Sequence, residues 1–484
     1  MLDRREGQRG MRAARTMAGA VLAAAVVAGC SSSGSTGTKG GGGGPDATSA
    51  AKPLAKLSVP SAYDGAKGWD ETLAWVPESV GTLPVAVVPR SETVAMMYAA
   101  SGGYTVKVRS ADSGQVRWAS APWNPPTPVE GAEGNPESGE SAEIPDVTGV
   151  EQDGRAYVVA YAHGMRGKDD LHEGTEVVRL AVYPADASGS SVKPLREVDV
   201  PVSADPGEVR VRAEGGRLLV AWGEDGMYPR WSHAVDVATG TVTPYKDPES
   251  LLPQCDEVVA CPNTRVMAAS EVGPLVAMGR GGFGVPGRWF SDDVRPDGVD
   301  ARSGLLGTWN GDVYGVGDGR LLARWSRGGK YGADVDPVWS VHDLRTGRIQ
   351  ARMECGYDGA QQFDAARDYP VVASPSGRYL AAGPVAFDLE RKKGICLDSD
   401  GNRKTIVLGS IRDDGTAYGA VQEDSATSDI EPVVAQLALT TGTGEPKVLG
   451  AGIDIPQYTS VNGSGLFVTR DEDKNVRISL RRER

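Results

Sequence analysis

One phrase recurs eight times between residues 93 and 473, and it restricts the fold more than any other property of the chain. A glycine or a turn leads into an alternating apolar strand that runs out into small or polar residues. The instances are TVAMMYAAS from Thr93, GRAYVVAYAHG from Gly154, GRLLVAWGED from Gly216, GPLVAMGRG from Gly273, GRLLARWSRG from Gly319, GRYLAAGP from Gly377, GTAYGAVQED from Gly415 and GSGLFVTRDED from Gly463. Their mean spacing is about 53 residues, close to the repeat length of propeller blades. No apolar stripe of helical period lies between them.

A second strand with period-two alternation often follows, as in YTVKVRSADSGQVRW (104–118), WSHAVDVATGTVTPY (231–245), VWSVHDLRTGRIQAR (338–352) and VVAQLALTTGTGEPKVL (433–449). It ends in a D-x-x-[ST]-G turn at Asp236–Gly240, Asp300–Gly304 and Asp343–Gly347, with Ser110 or Ala438 in place of the Asp elsewhere. Asp can bond backbone amides in such a turn, and Gly accepts the positive φ it requires. A lone four-stranded unit cannot bury both faces, so the pattern predicts units stacked around an axis: an all-β propeller of about eight four-stranded blades, with seven the main alternative because 273–320 is irregular. The last unit stops at Arg484 without an outer strand. Either 69–79 (WDETLAWVPES) or 57–60 (LSVP) is expected to complete it and close the ring with amino-terminal residues, removing an exposed edge.

The turn kernel, once carrying Trp118, resembles the repeat of quinoprotein-like propellers, the class of pyrroloquinoline-quinone dehydrogenases and the BamB assembly lipoproteins. The resemblance spans most of 80–484 and implies the fold rather than an activity. A quinone enzyme of that class would need a Ca²⁺ site, a catalytic Asp and commonly a disulfide between adjacent cysteines. Adjacent cysteines do not occur here, and no cofactor is expected.

A different resemblance marks the start. Five arginines (Arg4, Arg5, Arg9, Arg12, Arg15) precede an apolar run from Met17 to Ala28 and the sequence Val27-Ala28-Gly29-Cys30. That order resembles a bacterial lipoprotein signal, and the run is too short for a membrane span of about 20 residues. The resemblance implies removal of residues 1–29, lipidation of Cys30, and a place on the outer face of the cell membrane, where two acyl chains hold without a polypeptide span. Residues 30–54 then form a lipidated Cys and a Gly/Ser-rich tether with a reach of roughly 25–30 Å, and 55–484 form the propeller. The Gly and Ala content and the preference for Arg over Lys point to a high-GC, actinobacterial source.

The net charge is −13, and removing 1–29 takes away five Arg against Asp3 and Glu6, leaving −16. Such a body repels phosphate backbones and anionic lipid surfaces, so nucleic acid is disfavoured and not expected as a partner, and the lipid must do the anchoring. Apart from Cys30 there are four cysteines, as expected for a disulfide-bonded exported protein. The expected pairing is Cys255 with Cys261 and Cys355 with Cys396, one of three connectivities, since the spacings fit no zinc pattern.

The remaining motifs carry little chemistry. His172-Glu173-Gly174-Thr175-Glu176 begins like a zinc-protease motif but has Glu where the second His belongs. Gly282-x-Gly284-x-x-Gly287 contains Pro286 and is not followed by a helix. Asp398-Ser-Asp400-Gly-Asn402 lacks the Gly and Glu of a calcium loop. His163, His172, His233 and His342 are scattered. An acidic, Pro/Gly-rich insertion at 123–146 carries Glu130, Glu133, Glu137, Glu140 and Glu143, which read as a surface loop before a cation site. No catalytic or metal-binding residue is assigned. The expectation is a non-catalytic module holding a protein partner or envelope ligand on one propeller face. The alternative is an extracytoplasmic dehydrogenase or hydrolase with clustered carboxylates at the channel mouth.

Overall fold

The computed structural model describes residues 54–484 apart from 135–140, 204–206, 224–228, 258–260, 262, 280, 304–307, 328–336, 357–369, 400–401, 423–432 and 443–444. The expectations for the leader, Cys30 and the tether up to residue 53 lie outside the described residues. Pro53–Arg484 forms one compact unit. Among the described residues, no helix is long and apolar enough to cross a membrane.

Eight groups of four antiparallel strands follow one another, at 85–120, 146–201, 208–245, 265–290, 312–354, 372–396, 406–448 and 458–483, the last completed from the amino-terminal side. The first group gains a fifth, parallel strand from Gly189–Val192, and the third and fourth touch through Gly216 and Arg217. Every one of the eight recurring phrases forms the second strand of its group, for example Thr93–Ala100, Gly216–Gly223, Tyr379–Ala382 and Gly465–Arg470. This strand has a neighbour on each edge and a packed sheet on each face. It therefore tolerates a nearly continuous apolar run, and all four residues of Tyr379–Ala382 are buried.

The core is divided among the gaps between successive groups. Val88, Met97 and Trp118 pack on Val158 and Tyr183; Val159 and Val200 pack on Leu218 and Val235; Leu219 and Ala234 pack on Val266 and Phe290. The series continues with Phe283 on Trp325, Trp339 on Phe387, Ile395 on Ile406, and Tyr418 on Phe467. It then returns to its start, because Leu466 and Ile478 of the last group pack with Val94 and Met96 of the first. A chain of interfaces that comes back on itself is a ring. The fold is a β-propeller.

Closure is made by Tyr63–Leu73, which pairs antiparallel with the final strand, Trp69 opposite Leu480 and Leu73 opposite Val476. Of the two expected segments, 69–79 supplies the second half of this strand. LSVP supplies no outer strand: Leu57 and Val59 pad the Tyr63–Phe467 contact, and the Ser58 carbonyl accepts from the Asp454 amide. Arg481, fully buried, lies 2.8 Å from Asp70 and donates to the carbonyls of Leu480 (3.0 Å) and Ala55 (3.0 Å).

The turn kernel behaves as its chemistry requires. At Asp236 and at Asp343 the carboxylate accepts from the amide three residues on at 2.8 Å, and the carbonyl accepts from the Gly amide at 2.7 and 2.8 Å. Gly114 and Gly347 have φ of +69° and +71°, and a Cβ there would strike the Trp69 or Trp289 ring of the preceding group. The third kernel differs: Arg302–Ser303 and Thr308–Trp309 form a separate two-stranded ribbon, and Gly304 is outside the described residues. The irregularity around 273–320 comes from this ribbon, from short strands at Phe283–Val285 and Trp289–Phe290, and from a one-turn helix at Ser291–Val294.

Candidate functional site

Because the first strand of every group is innermost, the eight turns between first and second strands converge at one end of the ring axis. They enclose a cavity of about 610 Å³, reached by Pro89, Glu151, Gly215, Glu271, Asp318, Ser374, Ser410 and Tyr458, one from each group. Acidic residues recur in these turns, but they are engaged in joining them. The Arg90 amide donates to Glu151 (3.2 Å), the Asp153 amide to Glu271 (3.3 Å), and the Ser376 amide and hydroxyl to Asp413 (2.9 and 2.6 Å). Asp318 pairs with Arg320. Burial, reinforced by Glu92, Asp413 and Glu151, pushes the Tyr458 phenol up to about 12. Most of these turns thus carry an acid, whereas 374–377 and 460–463 carry none and Arg345 also lines the cavity. Among the described residues, no three His, Cys, Asp or Glu side chains converge to hold a metal ion.

A second polar cluster lies at the opposite end of the second group. His163 stands ten residues past the Asp153 turn, roughly 30 Å along the strand. Its Nδ1 is 3.0 Å from Glu143 and its Nε2 is 2.9 Å from Glu176. One rung away, buried Asp146 accepts from Tyr161 (2.8 Å), Thr82 (2.9 Å) and the Val147 amide (2.6 Å). Burial raises the Asp146 carboxyl against these bonds, while burial and the Asp146 carboxylate together raise the Tyr161 phenol. For His163, burial opposes the charged ring, but Glu143 and Glu176 outweigh it and hold the pKa above its ordinary value.

The residues singled out from sequence are placed as follows. Cys255 bonds Cys261, and Cys355 bonds Cys396. His172 is exposed and bonded to Asp169 in a surface turn. Gly284 lies within Phe283–Val285, a strand. Asp398 is tied to Ser399 and Thr405; Asp400 is outside the described residues, as are Glu137 and Glu140. His233 and His342 lie on strands Trp231–Val235 and Val338–Asp343. In the second, Trp325 donates to the Ser340 hydroxyl (2.6 Å), which meets His342 Nε2 (2.7 Å), while Nδ1 donates to the Gly347 carbonyl (2.8 Å). Burial drives His342 down to about 4, so the ring is neutral. The insertion is more engaged than a surface loop: Trp123, Ala132 and Ala142 are buried, and Thr127 exchanges both backbone hydrogen bonds with Met165. Sequence reasoning missed the His163 cluster, whose members carry no local motif. Neither disulfide joins adjacent cysteines, the separations being 6 and 41, and among the described residues the rim carboxylates are dispersed.

No family model and no curated protein matches the chain. Solved structures similar to it include the Dos1 propeller, at 10% identity and TM-score 0.39, covering 86% of this chain and 95% of that one. The β-propeller domain of the Trilobed protease from Pyrococcus furiosus is similar at 10% identity and TM-score 0.33, over 82% and 91%. The polysaccharide lyase Uly1 is similar at 10% identity and TM-score 0.37, over 90% and 95%. At 10% identity these similarities bear on the fold alone.

Proposed function

We propose that the chain is a lipid-anchored, extracytoplasmic propeller of eight blades that holds a protein partner or a cell-envelope ligand at one end of its ring, without chemistry of its own. The Arg-rich start and Val27-Ala28-Gly29-Cys30 support the anchor at Cys30, and the eight four-stranded groups support the blade number. One observation carries the binding role. The carboxylates of the cavity-end turns are spread around the ring, and Glu151, Glu271 and Asp413 accept from neighbouring backbone amides while Asp318 pairs with Arg320. Such a rim offers a preformed concave shape of fixed charge, which suits recognition more than proton transfer between converging groups. The same carboxylates are what favours the second reading, an enzyme acting at the channel mouth.

A photocrosslinker placed at Val461, exposed in a turn of the cavity end, and at Leu171, exposed at the other end, separates the two. A single adduct of defined mass from one position alone supports partner binding. No adduct, with turnover of envelope glycans or peptides that Glu271→Gln abolishes, supports the enzyme. A mature protein recovered without lipid, or unchanged by Cys30→Ala, removes the anchor.

A further inference from the structure

His163 has a carboxylate at each ring nitrogen. A neutral imidazole carries one N–H and would turn a lone pair toward the second carboxylate, so both contacts are attractive only when the ring is an imidazolium. The two acids come from different parts of the chain. Glu176 belongs to the strand Thr175–Pro184 hydrogen-bonded beside His163, whereas Glu143 belongs to the returning limb of the 123–146 insertion. The side chains of His163 and Glu176 are close to nine-tenths buried and that of Glu143 is 45% exposed. The insertion is also held by the Glu143 amide to the Ala132 carbonyl (2.7 Å), which ties its two limbs, by the Ala142 amide to the Ser79 carbonyl (3.0 Å), and, on the outgoing limb, by the Thr127–Met165 exchange. At the last, Gly164 lets the backbones close up, since a Cβ there would lie 2.4 Å from the Thr127 carbonyl oxygen.

We infer that His163 is a proton-operated clasp, which as an imidazolium pins the returning limb of the insertion to the end of the second blade and as a neutral ring lets it go. The acids facing the ring are Glu143 from the insertion and Glu176 from the neighbouring strand. Asp146 and Tyr161 sit one rung away, bonded to each other. The nearest cations along these strands, Arg166 and Arg179, are paired with Asp199 and with Glu197. The raised pKa of His163 sets the sign. The clasp is complete below the open-state value, in which Glu176 still faces the ring, and weakens as pH rises through the higher clasped value. The device operates at the end of the ring away from the cavity and is independent of what the cavity binds.

The test is hydrogen exchange of the Ala142 and Glu143 amides against pH, corrected for intrinsic rates, with the His163 ring titrated by NMR in the same samples. Protection is expected to fall as pH rises through the His163 titration, tenfold for every unit by which the clasped pKa exceeds the open one. In Glu143→Gln and in His163→Gln the pH dependence is expected to vanish, while amides of Gly216–Gly223 stay protected and report an intact fold. Glu143→Gln retains the ring and the buried Glu176, so it remains informative if His163→Gln fails to fold. A His163 pKa at or below 6.5, or protection of the limb that ignores pH in the native chain, overturns the clasp.

Discussion

Replacing Asp70 by Ala removes the only acidic side chain paired with Arg481 among the described contacts and tests how the ring is shut. Arg481 has no exposed side-chain surface, so the guanidinium cannot turn to water when its partner is lost. Breaking a buried pair by removing one member costs about 3–5 kcal/mol. Here the carbonyls of Leu480 and Ala55 still accept from the guanidinium, which places the cost near the lower end, about 3 kcal/mol. That is on the order of a hundredfold in the equilibrium for opening the closing strand. Lys67 lies at the bulge of this strand, so trypsin cleavage there reports opening, and its rate follows the open population when reclosing is fast. The comparison is Glu78→Ala, which removes an exposed pair with Lys474 worth at most about 1 kcal/mol. Burial works against the Asp70 carboxylate, but the facing Arg481 guanidinium, the nearby Ser479 hydroxyl and the Ala55 amide outweigh it and keep its pKa low. The pair's contribution is therefore present at neutral pH and is lost as pH falls through that lowered value. If Asp70→Ala is cleaved no faster than Glu78→Ala, the Asp70–Arg481 pair contributes nothing and the reasoning fails.

Gly114→Ala is expected to lose at least about 2 kcal/mol, since φ is +69° and a Cβ would strike Trp69, whereas Gly442→Ala, at φ +70° in open space, is expected to lose about 1. Urea unfolding of the two variants checks the difference. Removing the Cys355–Cys396 bond frees a 41-residue separation and is expected to cost about 4 kcal/mol, against about 2 for Cys255–Cys261 with a separation of 6, measured on the paired Cys→Ala variants. Buried, neutral His342 must stay uncharged down to about 4, so it withdraws stability as pH falls from about 6.5, reaching about 3 kcal/mol near pH 4. In His342→Asn, the urea stability at pH 4.5 relative to pH 7.5 should fall less steeply than in the native chain.

The recurring phrase was legible because a second strand, enclosed on every side, needs apolar residues with little interruption, and all eight instances occupy that place. The turn kernel was legible for a similar reason, since its Asp and Gly act on their own backbone within five residues. What escaped depended on distant residues. Arg481 reads as one more basic residue in the terminal RRER-like run, and only its pairing with Asp70, some 410 positions earlier, makes it a buried ion. His163, Glu143 and Glu176 form no spacing pattern, because strand pairing and the path of the insertion bring them together. The kernel at Asp300 shows the converse: the right letters occur in a ribbon outside the eight four-stranded groups.

The closing strand has a consequence for how the chain is made. The ribosome delivers Tyr63–Leu73 about 400 residues before Val476–Glu483, so at about 5–20 residues per second the first strand waits on the order of 20–80 s for its mate. Throughout that interval the nascent chain carries unmated β-edges at both borders of whatever has already folded. A product released short of Val476 could never seal, and those bare edges would mark it for holding factors or proteases.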